Sequence, residues 1–509
     1  MSKSIEVSDD PQILQISSRT IVDLSNVGQP QTEPFARITI DVLPDNVLLE
    51  VFEFHLGEDQ RVQSITSGSF VPLHQDFWHT LVHVCRRWRY VIYASPRRLN
   101  LRLLCTERRP VKRNIWPELP IIIWATIPNS RRSRSQGVNN IVAALKQQHS
   151  RVCQIAIWDI PNSLLKKFAA IKKPFPALTH LALLRTDEEV PVLPYSLLEG
   201  SAPRLRFLQF GGIPFPALGK LLLSTRHLLA LSLDDIPHSG YISPNALVTS
   251  LSRLKRLKSL SLTFQSPRSR AVRETRVPPS LRRVVLPTLA SFRFKGDSEY
   301  LEDILSRMDT PLRVRLAITF FNQLTFDTPL LRSLIHRAET SRELGSHRAE
   351  ISFSKRSAHF ALFQKHEPVK SNGQELEISC RPSDWQLSSL AHLIWSSIPP
   401  LPALEHLELC DRYSPQHWRD SIESAQWLEL LRPFIFVKDL LLRGQLVELV
   451  ASALGELIGE RVTEVLPALK TIFVEDLRLS GISTWQKDIG QFVTARQISG
   501  RPITVRHSY

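Results

Sequence analysis

"PALTHLAL" (Pro176–Leu183) is the stretch whose reading decides the fold. Leu181 and Leu183 alternate with His180 and Ala182, which is the period of a strand with one buried face. The underlying frame, Leu-x-x-Leu-x-Leu, returns as "LRFLQF" from Leu205, "LLALSL" from Leu228, "LKSLSL" from Leu257 and "LASFRF" from Leu289. After a gap it resumes as "LEHLEL" from Leu404, "VKDLLL" from Val437 and "LKTIFV" from Leu469. Five copies carry a proline two residues ahead of the frame: Pro176, Pro203, Pro287, Pro402 and Pro467. Inside the gap, "RVRLAITF", "AEISFS" and "LEISC" read as looser copies of the same strand.

A repeat with this period points to a stacked solenoid. One unit cannot bury its leucines alone, whereas a stack forms a continuous core in which each leucine contributes about 1.5–3 kcal/mol. Segments such as "PYSLLEGS" and "ALGKLLLSTRH" supply the return path, helical where spacing allows. A doubly wound α/β domain would instead show long, clear helices and no fixed frame. The asparagine that leucine-rich repeats usually place beyond the last leucine is absent here, with Arg185 and Asp235 near those positions, so an irregular stack is expected.

The composition suits a folded, soluble chain, with 43% hydrophobic and 22% charged residues. No apolar run approaches the roughly 20 residues that cross a bilayer; the best, "IIIWATI" (Ile121–Ile127), has the length of a strand. The opening "MSKSIEVSDDPQ" has no apolar region of the secretory kind. Cys85, Cys105, Cys153, Cys380 and Cys410 are scattered and never form a CxxC pair. That pattern suits a reducing compartment. The expectation is an intracellular protein, cytoplasmic or nuclear, that does not engage a membrane.

The net charge of +15 is partly local, with ten Lys and Arg and a single acid, Glu107, between Trp78 and Arg113. Arg131, Arg132 and Arg134 follow in what reads as a loop. An acidic partner would suit this run, and so would ordinary solvated faces. Aromatic residues are not interleaved as on a single-strand-binding surface, so nucleic acid is not the expected partner.

Catalytic chemistry finds little support. There is no GxGxxG, GxSxG or HExxH, and "GIPFPALGK" (Gly212–Lys220) fails as a phosphate loop because Leu221 replaces the magnesium-binding hydroxyl. His79 and His83 are four apart but lack a third ligand at a known spacing, and Cys85 reads as a core thiol. The chain reads as non-catalytic, with no cofactor and no metal site.

Residues 1–36 read as a flexible segment. After them, "DVLPDNVLLEVFEFHL" (Asp41–Leu56) begins a helix at a Leu-Pro pair, with Asp45 complementing its positive end. "FWHTLVHVCRRWRYVIYAS" (Phe77–Ser95) reads as a second helix with Trp78, Leu81, Cys85, Trp88 and Ile92 on one face. The Leu-Pro pair, the "LLEVF" run and the "VCRRWR" helix together resemble an F-box, over about Ile40 to Leu104 with a long inserted loop at 57–76. The whole chain is similar to the expanded F-box family of mushroom-forming fungi. In that family leucine-rich-like units follow the box and the chain ends in something like "FVTARQISGRPITV" (Phe492–Val505).

The resemblance implies a short helical F-box at 37–104, then a connecting region with the first irregular repeats at 105–175. A leucine-rich-repeat-like α/β solenoid with a C-terminal cap would occupy 176–509. It further implies the substrate-recognition subunit of an SCF-type ubiquitin ligase, bound to a Skp-type adaptor and through it to a cullin and a RING protein. Leu43, Pro44, Val47, Leu48 and Leu49 would supply adaptor contact, joined by Val51, Phe52, Leu81, Val84 and Trp88, which with Cys85 and Val91 would divide between that role and internal packing. Leu43, Pro44 and Leu48 are the expected anchors. A protein target is expected on the outward strand positions His180, Gln209, Ser232, Ser261, Arg293, Glu408 and Arg443. The competing reading is a leucine-rich interaction scaffold independent of ubiquitin ligase.

Overall fold

A computed structural model of the chain describes residues 42–57, 77–111, 118–127, 131–171, 173–185, 202–214, 222, 225–267, 283–323, 325–340, 346–364, 374–379, 383–411, 423–475 and 484–507. The segment 1–36, most of the inserted loop, Cys380, all of "PYSLLEGS" and most of "ALGKLLLSTRH" lie outside the described residues.

All eight clear copies of the frame open on the same turn. The first frame residue donates its N–H to the carbonyl three residues back, from Leu178 to Phe175, Leu205 to Ala202, Leu228 to Thr225 and Leu257 to Leu254. The pattern continues from Leu289 to Leu286, Leu404 to Leu401, Val437 to Phe434 and Leu469 to Leu466, with lengths of 3.0–3.4 Å throughout. The five prolines therefore occupy the second position of a β-turn, where a fixed φ near −65° is pre-set. The residue that accepts the turn bond is itself buried in seven of the eight copies. The effective repeat thus begins three residues before its first leucine.

From these turns the strands enter one sheet. They are β1 (Leu103–Cys105), β2 (Ile121–Thr126), β3 (Val152–Trp158), β4 (His180–Leu184), β5 (Phe207–Gly211), β6 (Ala230–Ile236) and β7 (Ser259–Phe264). After the two-residue β8 (Val284–Val285) come β9 (Ser291–Gly296), the two-residue β10 (Met308–Asp309) and β11 (Arg315–Phe321). Then follow β12 (Arg348–Phe353), β13 (Ser357–Phe363), β14 (Gln374–Ser379), β15 (His406–Asp411), β16 (Asp439–Arg443), β17 (Thr471–Glu475) and β18 (Thr504–His507). Sixteen of these form a single sheet in the order β1-β2-β3-β4-β5-β6-β7-β9-β11-β14-β13-β12-β15-β16-β17-β18, while β8 and β10 pair separately. The architecture is mixed α/β with a large, mostly parallel sheet.

Of the three looser copies, "RVRLAITF" continues the parallel stack as β11, whereas "AEISFS" and "LEISC" do not. β12, β13 and β14 form an antiparallel meander laid backwards, with β14 parallel to β11 and β12 parallel to β15. Register survives the reversal. One inward row runs Ala125, Ile157, Leu183, Phe210, Leu233, Leu262, Phe294 and Ile318, then Leu376, Phe360, Ile351, Leu409, Leu442 and Val474. Every member of it is buried. The sheet also begins at Leu103, so the connecting region 105–175 already supplies two full strands.

Among the described residues the return helices include α4 (Arg131–Gln147), α5 (Asn162–Ala169), α6 (Pro244–Leu251), α7 (Ser298–Arg307) and α8 (Pro329–Thr340). They continue as α9 (Ser383–Ser397), α10 (Ser424–Leu431), α11 (Leu446–Gly455) and α12 (Thr484–Ile498). Their apolar faces share one core with the inward strand residues. The Arg131–Arg134 stretch opens α4 rather than forming a loop. At the C-terminal end, Arg496 of α12 is fully buried and donates to the carbonyls of Leu469 (3.0 Å), Pro467 and Val462 (both 3.4 Å). It thereby ties the last helix to the turn that opens β17.

Leu260 lies at the centre of a second inward row, between Leu231 and Phe292. Leu260→Ala should cost about 2–5 kcal/mol in chemical denaturation, whereas its outward neighbour Ser259→Ala should stay within about 0.5 kcal/mol.

Candidate functional site

The N-terminal helices are built from the same apolar chemistry but expose part of it. α1 (Asp45–Gly57) starts where the Pro44 carbonyl accepts from the amides of Val47 (3.0 Å) and Leu48 (3.1 Å). Its inner stripe is Leu48 (0% exposed) and Phe52 (1%), with the Phe52 ring edge-on to Trp88 at 4.7 Å. The continuous second helix expected from periodicity is two helices, α2 (Phe77–Val82) and α3 (Arg86–Ala94). The chain turns between them because Cys85 takes an extended conformation and caps α3, its Sγ accepting from Trp88 N at 3.4 Å. Cys85 is therefore a half-buried cap rather than a core thiol.

This unit is fastened to itself and to the sheet. Trp78 is buried and donates from Nε1 to the Arg102 carbonyl at 3.2 Å, just ahead of β1. Arg87 pairs with Asp45 at 2.7 Å and also donates to the Leu43 carbonyl. Arg98 reaches Glu53 at 3.2 Å. Arg89 Nε donates to the Val82 carbonyl at 2.9 Å, closing the end of α2.

Of the ten expected adaptor-contacting residues, Leu48 and Phe52 are spent inside this unit. The anchor role expected of Leu48 therefore does not hold, because the side chain has no surface to offer. Leu43, Val47, Leu49, Leu81 and Trp88 are half-buried, while Pro44, Val51 and Val84 are exposed. Val91 packs internally. Two further residues, Val42 (70% exposed) and Phe54 (64%), belong to the open apolar surface. Phe54 was detectable: Val47, Val51 and Phe54 stand at i, i+4 and i+7, a stripe roughly 100° around the helix from Leu48 and Phe52.

The outward face of the sheet is the second surface. Gln209, Ser232, Ser261 and Arg293 fall in one row across β5, β6, β7 and β9. Asp234 gathers three of them, accepting from Gln209 Nε2 at 2.9 Å, Ser232 Oγ at 2.8 Å and Ser261 Oγ at 3.1 Å. Arg293 stands exposed beside this cluster. His180 lies in a different row, stacked on Phe207 at 4.3 Å. Burial, then the charges of Arg102 and Arg206, push its imidazole down to about 4.

Glu408 and Arg443 sit on β15 and β16, beyond the meander. Glu408 is 3% exposed and held by Arg348 and by Arg443 Nη1 at 2.8 Å, while Arg443 Nε reaches Glu475 at 2.8 Å. Glu408 is therefore a structural acid inside an Arg–Glu ladder, not an open contact. Register places Glu408 in the same outward row as Gln209, Ser232, Ser261 and Arg293, reached through Ala317, Glu375, Ala361 and Glu350.

Burial pushes the Cys105 thiol up to about 11 and also raises that of Cys153, which disfavours the thiolate at both. His79 stacks on Trp78 at 3.7 Å and His83 lies in the turn after α2. Among the described residues, His347, Glu405 and His406 do come together as potential ligands.

No protein-family model matches the chain, and no curated protein matches it. Among solved structures it is similar to the leucine-rich repeat-containing protein LegL7 from Legionella pneumophila. That likeness is 14% identical, covers 66% of this chain and 94% of that one, and has a TM-score of 0.26. Among the described residues, no helix is long and apolar enough to cross a membrane.

Two substitutions probe the sheet face. Glu408→Ala leaves two half-exposed arginines without their shared acid, and a loss of about 1–3 kcal/mol is expected in denaturant titration. His180 is neutral in the fold while its unfolded counterpart charges near pH 6.5. Its contribution is therefore present above about pH 6.5 and is lost as pH falls toward about 4. His180→Phe, which keeps the ring stack without titrating, should show a smaller fall in Tm between those two pH values.

Proposed function

We propose that this chain is the substrate-recognition subunit of a cullin–RING ubiquitin ligase, docking a Skp-type adaptor through its N-terminal helices and a protein target through the sheet face. The observation that carries this reading is the two-sided character of α1. Leu48 and Phe52 satisfy the internal core, while Val51 and Phe54 remain exposed with Val42, Pro44 and Val84 nearby in sequence or in the same helical unit. A helix serving only its own domain needs one apolar stripe; a second suits a partner that buries it. The motif order Leu-Pro, "LLEVF", "VCRRWR", and its likeness to the F-box proteins of mushroom-forming fungi, support the choice of partner.

The mechanism is positional. The chain contributes no bond-making group; it holds a target near the charged ubiquitin-conjugating enzyme and so raises its effective concentration. Arg293 and the ordered hydroxyls around Asp234 offer a polar epitope whose geometry is set before the target arrives.

The test is binding of the purified chain to a Skp-type adaptor, measured beside Val51→Glu/Phe54→Glu and Leu43→Ala/Pro44→Ala double variants. Wild type should bind, and the charged pair should weaken binding at least roughly thirtyfold, the loss of about 2 kcal/mol expected for one hot spot, with Tm unchanged. Leu48→Ala should instead lower Tm. No binding by a folded wild type would leave the scaffold reading in its place.

A further inference from the structure

The reversed meander joins the second parallel block where β12 meets β15, and the side chains of His347, Glu405 and His406 converge at the start of those strands. One potential ligand atom from each lies within 4.8 Å of the others. The rings of His347 and His406 stand edge-to-face with centroids 4.4 Å apart. Backbone geometry enforces the meeting. The amides of Glu405 and His406 both donate to the His347 carbonyl at 3.1 Å. On the far side, Asp439 of β16 is paired with His406 across the ladder, and its Oδ2 lies 3.0 Å from His406 Nδ1. A carboxylate on Nδ1 fixes the tautomer and leaves the Nε2 lone pair free, as in carboxylate-backed metal histidines.

We infer that His347, Glu405 and His406 bind a transition-metal dication of the zinc class, with Asp439 as the supporting carboxylate. Two imidazoles and one carboxylate suit Zn²⁺ and its neighbours, whereas magnesium and calcium favour an all-oxygen shell. Bonds of about 2.0–2.2 Å draw the three ligand atoms closer together, which rotation of half-buried side chains supplies. The resident competitor is Lys438, whose Nζ lies 2.5 Å from Glu405 Oε1. A bound ion would pin the meander to the second parallel block from outside the apolar core. The site stands independently of the adaptor reading.

The full chain, stripped with chelator, would be titrated with Zn²⁺ by calorimetry and with Co²⁺ by visible absorption. One ion per chain, tetrahedral cobalt bands and a Zn²⁺-dependent rise in Tm are expected. His347→Asn and His406→Gln should abolish all three while keeping the far-ultraviolet circular dichroism. Asp439→Asn should weaken binding about 10–100-fold, and Lys438→Met should tighten it severalfold by removing the competitor. No saturable binding by wild type, or equal binding by both histidine variants, overturns the assignment. Should a histidine variant fail to fold, the opposed shifts of Asp439→Asn and Lys438→Met decide, and unchanged affinity in both overturns it.

Discussion

The in-register row of buried side chains from Ala125 to Val474 is the constraint on which the rest of the molecule depends. Each strand is too short to hold its leucines out of water alone, so each is stable only between its neighbours. The turn that precedes each frame sets the strand's starting point, and a slip of one residue would turn its leucines to the outward face. Turn and row therefore act together: one sets where a strand begins, the other rewards the correct start with burial. Even the antiparallel meander conforms, placing Leu376, Phe360 and Ile351 in line between Ile318 and Leu409.

Much of this is legible in the sequence because the signals are local. Leu-x-x-Leu-x-Leu reports a half-buried strand within six residues, and the preceding proline reports a turn within four. The meander is not legible in the same way. "AEISFS" and "LEISC" have the alternation of any strand, and alternation carries no information about direction or neighbour. Their order is decided by packing of the whole sheet. The split between α2 and α3 is hidden in the sequence for another reason: Trp78, Leu81, Cys85, Trp88 and Ile92 fit one helical face numerically, and the extended backbone at Cys85 has no signature in hydrophobic periodicity.

The surfaces divide similarly. That α1 has more apolar residues than one stripe needs is visible in its sequence, but which of them faces the core is settled only by Phe52 against Trp88 and by Arg87 against Asp45. On the sheet face, alternation correctly placed Gln209, Ser232 and Ser261 outward, yet Asp234, which orders them, lies beyond the frame. Glu408 illustrates the limit of alternation as a guide to exposure. An outward side chain becomes interior when arginines from the adjoining strands, Arg348 and Arg443, close over it.

The backward meander has a consequence for how the sheet comes apart. In an uninterrupted stack, strands peel from an end one at a time, and each loss exposes a single interface. Here the chain leaves β11, passes over the places of β14 and β13 to lay down β12, then returns, so the strand beside β11 is the last of the three in sequence. Fraying that travels inward from the N-terminal end, once past β11, meets β14 and not β12. It must then dismantle the meander from its far end, where α9 packs over β13 and β14 and against α8. The reversal is thus a stop within an otherwise processive zipper, dividing its two arms into segments that fray separately but separate from each other only together.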